Sequence, residues 1–113
     1  MSLDVALYDN CCSACGRRDR VFDGNITHNL VPMAKAAGLY TPVWRPEELG
    51  ITKAKQVAEA CLQGFGDLFA NPKKYHVYDA ENGWGEYDDF VRFMYSYLGA
   101  CARYPDAIVE ADR

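Results

Sequence analysis

The chain has 113 residues, of which 50% are hydrophobic, and its formal net charge is -4. This length and apolar content predict one domain, residues 1–113, with an ordinary buried core. The acidic balance, with Arg17, Arg18 and Arg20 as the only basic cluster, removes nucleic acid and anionic membranes from the expected partners. An unidentified protein or small molecule remains as the partner.

The N-terminus and the cysteine count bear on the compartment. No apolar run reaches the ~20 residues of a membrane span. The first residues lack a basic region followed by an apolar one, so we expect no signal peptide. Five cysteines cannot all pair within one chain, and reduced thiols in a cytoplasmic protein are the expectation.

Two strands are predicted near the N-terminus and a third at the C-terminus. Residues 3–8 alternate, with Leu3, Val5 and Leu7 on one side, and residues 20–23 would return as the second strand of a hairpin. The cysteine-rich turn would form the tip of this hairpin. Residues 107–111 predict the last strand, which pairs with one of the first two in a direction that the sequence leaves open.

Three helices are predicted between these strands. The first runs from Val31 or Pro32 to Gly38, because proline suits the first helical position and glycine a left-handed cap; a helix from Thr27 with a distorted first turn is the alternative. The second begins after Thr52 and ends at Asn71-Pro72, and the third spans about 86–103. Residues 39–50 are predicted to be a loop with one helical turn at 46–50, and residues 75–85 an aromatic, turn-rich segment.

This order of elements predicts an α+β fold. A small antiparallel sheet, made of the N-terminal hairpin and the C-terminal strand, would pack on the three helices.

The segment Cys12-Ser13-Ala14-Cys15-Gly16 has the spacing of a zinc knuckle, because two thiolates two residues apart can reach one tetrahedral ion. A structural zinc site needs four ligands, and the candidate metal set is Cys11, Cys12, Cys15 and His28. The cofactor is therefore zinc or none, since half of a motif is also compatible with a turn that carries free thiols. Thiol redox chemistry is a further alternative. Cys61 and Cys101 could serve as the fourth ligand, but each lies on the apolar face of its helix and is interpreted as a core residue.

Polar and aromatic side chains in two loops and one turn predict a ligand pocket, because loops carry function and such side chains orient a ligand. The candidate ligand-binding residues are Asn25, Thr27, His28, Asn29, Trp44, Arg45, Asn82 and Trp84. The alternative is that the amides and hydroxyls satisfy main-chain groups where strand, turn and helix meet, and that the tryptophans cover the ends of the core.

His28 also raises the question of catalysis. Beside Cys12 or Cys15 it would form a Cys–His pair, as in a small Cys/His enzyme, whereas His76 is interpreted as a surface residue. No complete phosphate-binding, dinucleotide-binding, metalloprotease or serine-nucleophile motif is present in the sequence. The leading hypothesis is therefore a non-enzymatic binding module, with a zinc-stabilised protein and a Cys/His enzyme as alternatives.

Several short motifs in order resemble a family of small uncharacterised bacterial and phage proteins. They are Asn25–Leu30, Met33-Ala34, Trp44–Glu48, Glu81–Gly85 and Tyr104–Ala107. The resemblance covers roughly residues 21–113. It implies a phage or prophage setting and a cytoplasmic location, and it implies no activity.

Overall fold

The computed structural model of the protein describes residues 1–80 and 82–113. Its three strands are β1 (Ser2–Asp9), β2 (Asp19–Thr27) and β3 (Ile108–Asp112), joined in the order β2-β1-β3. Both pairings are antiparallel, so the last strand lies beside the first. The α+β prediction is confirmed, and the direction that the sequence left open is settled.

The described residues form five helices and two short 3-10 turns, of which His28–Leu30 leads from β2 into the first helix and Pro46–Leu49 lies between the second and third. The helix bounds are α1 (Val31–Ala37), α2 (Tyr40–Trp44), α3 (Ala54–Ala70), α4 (Pro72–His76) and α5 (Tyr87–Arg103). Within the described residues, none of these helices combines the length and the apolar character needed to cross a bilayer.

The count of three helices was wrong because two short ones, α2 and α4, lie in segments predicted to be loops or turns. Pro42 sits in the first turn of α2, where a missing N–H costs little. The rings of Tyr40 and Trp44, one turn apart, stack at 5.8 Å and bring that helix onto the core. Pro72 likewise opens α4 directly after α3 ends.

Alternation along β1 separates the two faces of the sheet. Leu3, Val5 and Leu7 are buried against the helices, while Asp4 and Ala6 point to the opposite, outer face. On the inner face Val5 lies opposite Gly24 of β2 and Leu7 opposite Phe22. The helices therefore cover one face only, and α5 lies against β2 with a cleft between them.

Candidate functional site

A cleft of about 580 Å³ runs between the open edge of β2 and the side of α5. We call it the β2–α5 cleft. Its lining is Phe22–Thr27 from β2, Gly83–Gly85 from the loop before α5, and Asp89, Arg92, Phe93 and Ser96 from α5. The volume lies within the range typical of ligand sites in proteins.

Aromatic rings form the floor of the cleft. The Phe22 ring stacks on Tyr97 with centroids 5.6 Å apart, and Phe93 meets the same tyrosine at 5.8 Å. A side chain at Gly24 would stand 3.2 Å from both phenylalanine rings. Glycine at that position therefore lets the two rings close over the strand and gives the cleft an apolar base.

Trp84 stands at the mouth of the cleft and is 74% exposed. Two amide side chains hold its main chain: Asn29 Nδ2 donates to the Trp84 carbonyl at 2.8 Å, and Trp84 N donates to Asn82 Oδ1 at 2.9 Å. Gly85, with φ of 136°, lies so close to Thr27 that a Cβ atom would stand 3.0 Å from Thr27 Cγ2. The loop is thus fixed against the end of β2 while the indole stays open to solvent.

Five of the eight predicted ligand-binding residues take part in this cleft, in two different ways. Asn25, Thr27 and Trp84 line it, whereas Asn29 and Asn82 support its loop from behind. The polar side chains also satisfy local groups, as the alternative interpretation held. Thr27 Oγ1 accepts from Asn29 N at 3.2 Å, and Asn25 Nδ2 donates to Asp4 Oδ1 at 2.7 Å.

The structure places Trp44 and Arg45 away from the cleft. Trp44 is 1% exposed and packs between Tyr40 and Phe90 in the core. Arg45 follows it, donates to Tyr40 Oη at 2.9 Å and pairs with Glu48 at 3.3 Å. The alternative interpretation expected this tryptophan to pack on the core, which it does, and neither residue lines the cleft.

His28 lies at the far end of β2 from the cysteine turn. The strand has nine residues, which places about 25 Å between its two ends at ~3.3 Å per residue. His28 N donates to the Met1 carbonyl, and its Nε2 is buried without a hydrogen-bond partner among the described residues. The proposed Cys–His pair is therefore not formed, and His28 cannot share a metal with Cys12 and Cys15.

The cysteine turn itself brings Cys12 and Cys15 together. The pKa of Cys12 is lowered, mainly because the Cys15 thiol hydrogen-bonds its sulfur. The backbone amides of Cys15 and Ala14 contribute in the same direction. The Cys11 thiol instead donates to the Tyr8 carbonyl at 3.8 Å. Within residues 1–80 and 82–113, no three His, Cys, Asp or Glu side chains are grouped closely enough to hold a metal ion. The residues present thus fit a thiol pair and do not fit a four-ligand zinc site.

Cys61 and Cys101 are core residues, as predicted. They are 0% and 1% exposed. Burial raises the pKa of each thiol to about 12. Neither lies where it could complete a site at the cysteine turn.

Four cleft residues on α5 were missed at the level of sequence, although a signal for them exists. Asp89, Arg92, Phe93 and Ser96 follow the spacing i, i+3, i+4, i+7, which places them on one face of a helix. That face borders the buried stripe of α5. The sequence does not say which neighbouring element meets it, and so could not single it out.

The outer face of the sheet is charged, and it adjoins the cleft at β2. It carries Asp4, Asp23, Glu110 and Asp112 against Arg18 and Arg20. Arg18 is stacked 3.8 Å above the Tyr8 ring and pairs with Glu110 at 2.8 Å. Four carboxylates against two guanidinium groups leave this face with an excess of negative charge.

Comparison with known proteins gives no relative for this arrangement: no family model, curated protein or solved structure matches the chain significantly. The fold and the cleft define an α+β protein with an open sheet edge beside a polar-aromatic groove. Glu81, the first residue of one motif behind the resemblance, lies outside the described residues.

Proposed function

We propose that the protein is a small non-enzymatic binding module whose ligand occupies the β2–α5 cleft. The observation that supports this is Trp84, whose main chain is held by two amide side chains and whose exposed indole stands at the mouth of a cleft with an apolar floor. Apolar surface rimmed by polar groups is typical of interaction sites. An aromatic side chain has few rotatable bonds, so it offers a large contact area at little cost in conformational entropy.

The polar rim supports a ligand of mixed character. On α5, Arg92 Nη1 lies 3.9 Å from Asp89 Oδ1, and both side chains are well exposed. Such a weak pair can open to meet a charged or amide-bearing group, because exposed ion pairs contribute little free energy. An apolar or aromatic group would then lie on Phe22 and Phe93, between the rim and the strand.

The setting that we propose for this module is the cytoplasm of a bacterium or a phage-infected cell. All five cysteines are free thiols, which suits a reducing compartment. The phage or prophage association follows from the resemblance of its motifs to the family named above and is part of the proposal.

The test is a titration of isotope-labelled protein with a library of small aromatic and amide-bearing fragments, followed by NMR. We expect fragments to shift the indole N–H signal of Trp84 and the amide signals of Gly24 and Ser96. The indole signal of Trp44 should stay in place, because that ring is buried in the core.

Two variants make the test specific. Trp84→Ala should abolish or strongly weaken fragment binding, whereas Tyr95→Ala should leave it unchanged. Tyr95 is a matched control because it is an exposed aromatic residue of α5, 70% exposed, that does not line the cleft. A library that produces no cleft shifts, or equal losses in both variants, would refute the proposal.

A further inference from the structure

The two edges of the sheet differ in whether another segment of the chain is hydrogen-bonded to them. At the β3 edge, Val109 N donates to the Thr52 carbonyl at 2.9 Å, and Lys53 forms an isolated bridge with Ile108. The chain thereby covers the beginning of that edge. At the β2 edge no other strand of the described chain pairs with residues 23–27, and the β2–α5 cleft lies alongside.

The register shows which main-chain groups face the open edge of β2. Ser2 lies opposite Thr27, and His28 N donates to the Met1 carbonyl at 3.2 Å. That bond belongs to the residues flanking the Ser2–Thr27 pair, so Ser2 and Thr27 do not exchange hydrogen bonds with each other. Thr27 N–H therefore points away from β1.

Residue pairs along an antiparallel ladder alternate between pairs that exchange hydrogen bonds and pairs that do not. The pairs Asp4–Asn25 and Ala6–Asp23 therefore do not exchange hydrogen bonds, like the pair Ser2–Thr27. The N–H and C=O groups of Asp23 and Asn25 then face the cleft together with the N–H of Thr27, whose carbonyl begins the 3-10 turn. None of these edge groups bonds to another described residue, and a row of this kind is a template for one more strand.

We infer that the cleft accepts an extended peptide, which adds to β2 as a fourth strand. This inference rests on the proposed function and names its ligand class. From Asp23 to Thr27 the edge is about 13 Å long at ~3.3 Å per residue step, which is the span of about five peptide residues. Main-chain hydrogen bonds would supply affinity, and alternate side chains would supply specificity.

The two faces of the added strand meet different surroundings. Side chains on the inner side lie against Phe22, Phe93 and Trp84, and should be apolar. Side chains on the outer side continue the outer face of the sheet, where carboxylates outnumber guanidinium groups. The peptide that fits therefore alternates apolar with basic residues.

Charge decides between this peptide and a second copy of the chain. Pairing of two β2 edges would place two outer faces of the same negative excess side by side in one sheet. Like charges across neighbouring strands are destabilising, whereas basic side chains of a separate peptide are complementary. A monomer that binds the peptide is thus expected.

The probe is an acetylated and amidated pentapeptide of alternating lysine and valine, studied by isothermal titration and NMR. Two further versions carry N-methyl groups, one at the lysines and the other at the valines. In an added strand only one set of N–H groups faces β2. One methylated version should therefore bind with the affinity of the parent peptide. The affinity of the other should fall at least about tenfold, because it lacks the edge hydrogen bonds and its methyl groups clash with β2.

On the protein side, Thr27→Pro and Thr27→Ala form a matched pair. Both lose the Thr27 Oγ1 bond to Asn29 N, but only proline removes the edge N–H. Thr27 has φ of -66°, within the range that proline adopts. Because both variants also change the lining of the cleft at this position, they are compared with each other: we expect the peptide to bind Thr27→Pro about tenfold more weakly than Thr27→Ala, with circular dichroism confirming that both fold.

The outcomes separate the inference from the proposed function. Equal binding of both methylated peptides, or no peptide binding while fragments still shift the cleft signals, overturns strand addition and leaves the binding module standing. If the unmodified protein binds neither the peptide nor the fragments, both strand addition and the binding module are overturned. A dimer in sedimentation experiments without peptide, with Thr27→Pro monomeric, would assign the edge to a second copy and overturn the peptide.

Discussion

Gly64 and Gly66 of α3 have the same helical setting but different neighbours. A Cβ at Gly64 would stand 2.5 Å from the Ala37 carbonyl oxygen and 2.9 Å from Leu39 Cδ2, whereas a Cβ at Gly66 meets nothing within 4 Å. Gly64 therefore lets α3 approach the end of α1, and Gly66 only weakens the helix, by about 1 kcal/mol relative to alanine.

We predict opposite signs for the two alanine variants. Gly64→Ala should lower the free energy of unfolding by about 1–3 kcal/mol, because overpacking outweighs the gain in helix propensity. Gly66→Ala should raise it by about 0.5–1 kcal/mol. Urea denaturation followed by circular dichroism measures both, and a stabilised Gly64→Ala would mean that α1 and α3 are not in close contact.

Cys12 is the residue at which pH should have its clearest effect. The Cys15 thiol and two turn amides favour the Cys12 thiolate and lower its pKa. A lowered pKa means more thiolate at a given pH, so Cys12 should react with iodoacetamide at lower pH than an ordinary cysteine, whose pKa is about 8.5. Mass spectrometry of peptides alkylated across a pH series gives the profile.

Substitution of the neighbouring cysteines tests the cause. Cys15→Ala removes the largest stabilising contact and should move the Cys12 profile to higher pH. Cys11→Ala should leave it where it was, because the Cys11 thiol is bonded to the Tyr8 carbonyl. A profile that moves equally in both variants would mean that the turn is held in a different conformation.

At the scale of elements, the loop Gly83–Gly85 can be displaced by a single methyl group. Gly85→Ala adds a Cβ 3.0 Å from Thr27 at a φ of 136°, which is accessible essentially to glycine alone. We expect a loss of about 1–3 kcal/mol in the free energy of unfolding and a shifted NMR signal for the Trp84 indole. Fragment binding in the cleft should be lost as well.

Gly83→Ala is the matched control for that variant. Gly83 also has a positive φ, 76°, but its Cβ would meet nothing within 4 Å. It lies near the left-handed region that other residues can enter, at a cost of about 1–2 kcal/mol. The Trp84 signal and fragment binding should therefore be kept, and their loss in both variants would show that strain, and not the contact with Thr27, governs the loop.

The elements that the sequence predicted well are those whose ends carry their own signals. Pro32 and Gly38 bracket α1 in the sequence, and the structure ends the helix with Gly38 at φ of 75°. The second strand was predicted over residues 20–23 only, and the Gly24 and Asn25 that follow have low strand propensity. It continues to Thr27 because Gly24 admits the rings of Phe22 and Phe93, a tertiary contact that local propensity does not contain.

The candidate site was predictable to the same extent. Asn25, Thr27 and Trp84 carry the composition of a binding site and do line the cleft. Trp44 also has polar neighbours in the sequence, but its ring stacks on Tyr40 and lies in the core. Only the packing of α2 separates the two tryptophans, and that packing depends on contacts between segments far apart in the chain.

At the scale of the whole molecule, the two buried thiols report on opening of the fold. Cys61 of α3 and Cys101 of α5 are 0% and 1% exposed, and burial raises the pKa of each to about 12. Neither thiol can react in the closed protein, because the reagent cannot reach it and the thiolate is scarce. They lie on different helices of one core, so a common opening should expose both.

We therefore predict two classes of cysteine in the native protein. Iodoacetamide should modify Cys11, Cys12 and Cys15 directly, and Cys61 and Cys101 only through unfolding, at equal rates that rise in parallel with urea. Gly64→Ala should accelerate both buried thiols by about tenfold per 1.4 kcal/mol of lost stability, while Cys15→Ala should accelerate neither. Independent rates for Cys61 and Cys101, or a rate for either that ignores urea, would show that α3 and α5 separate before the core unfolds.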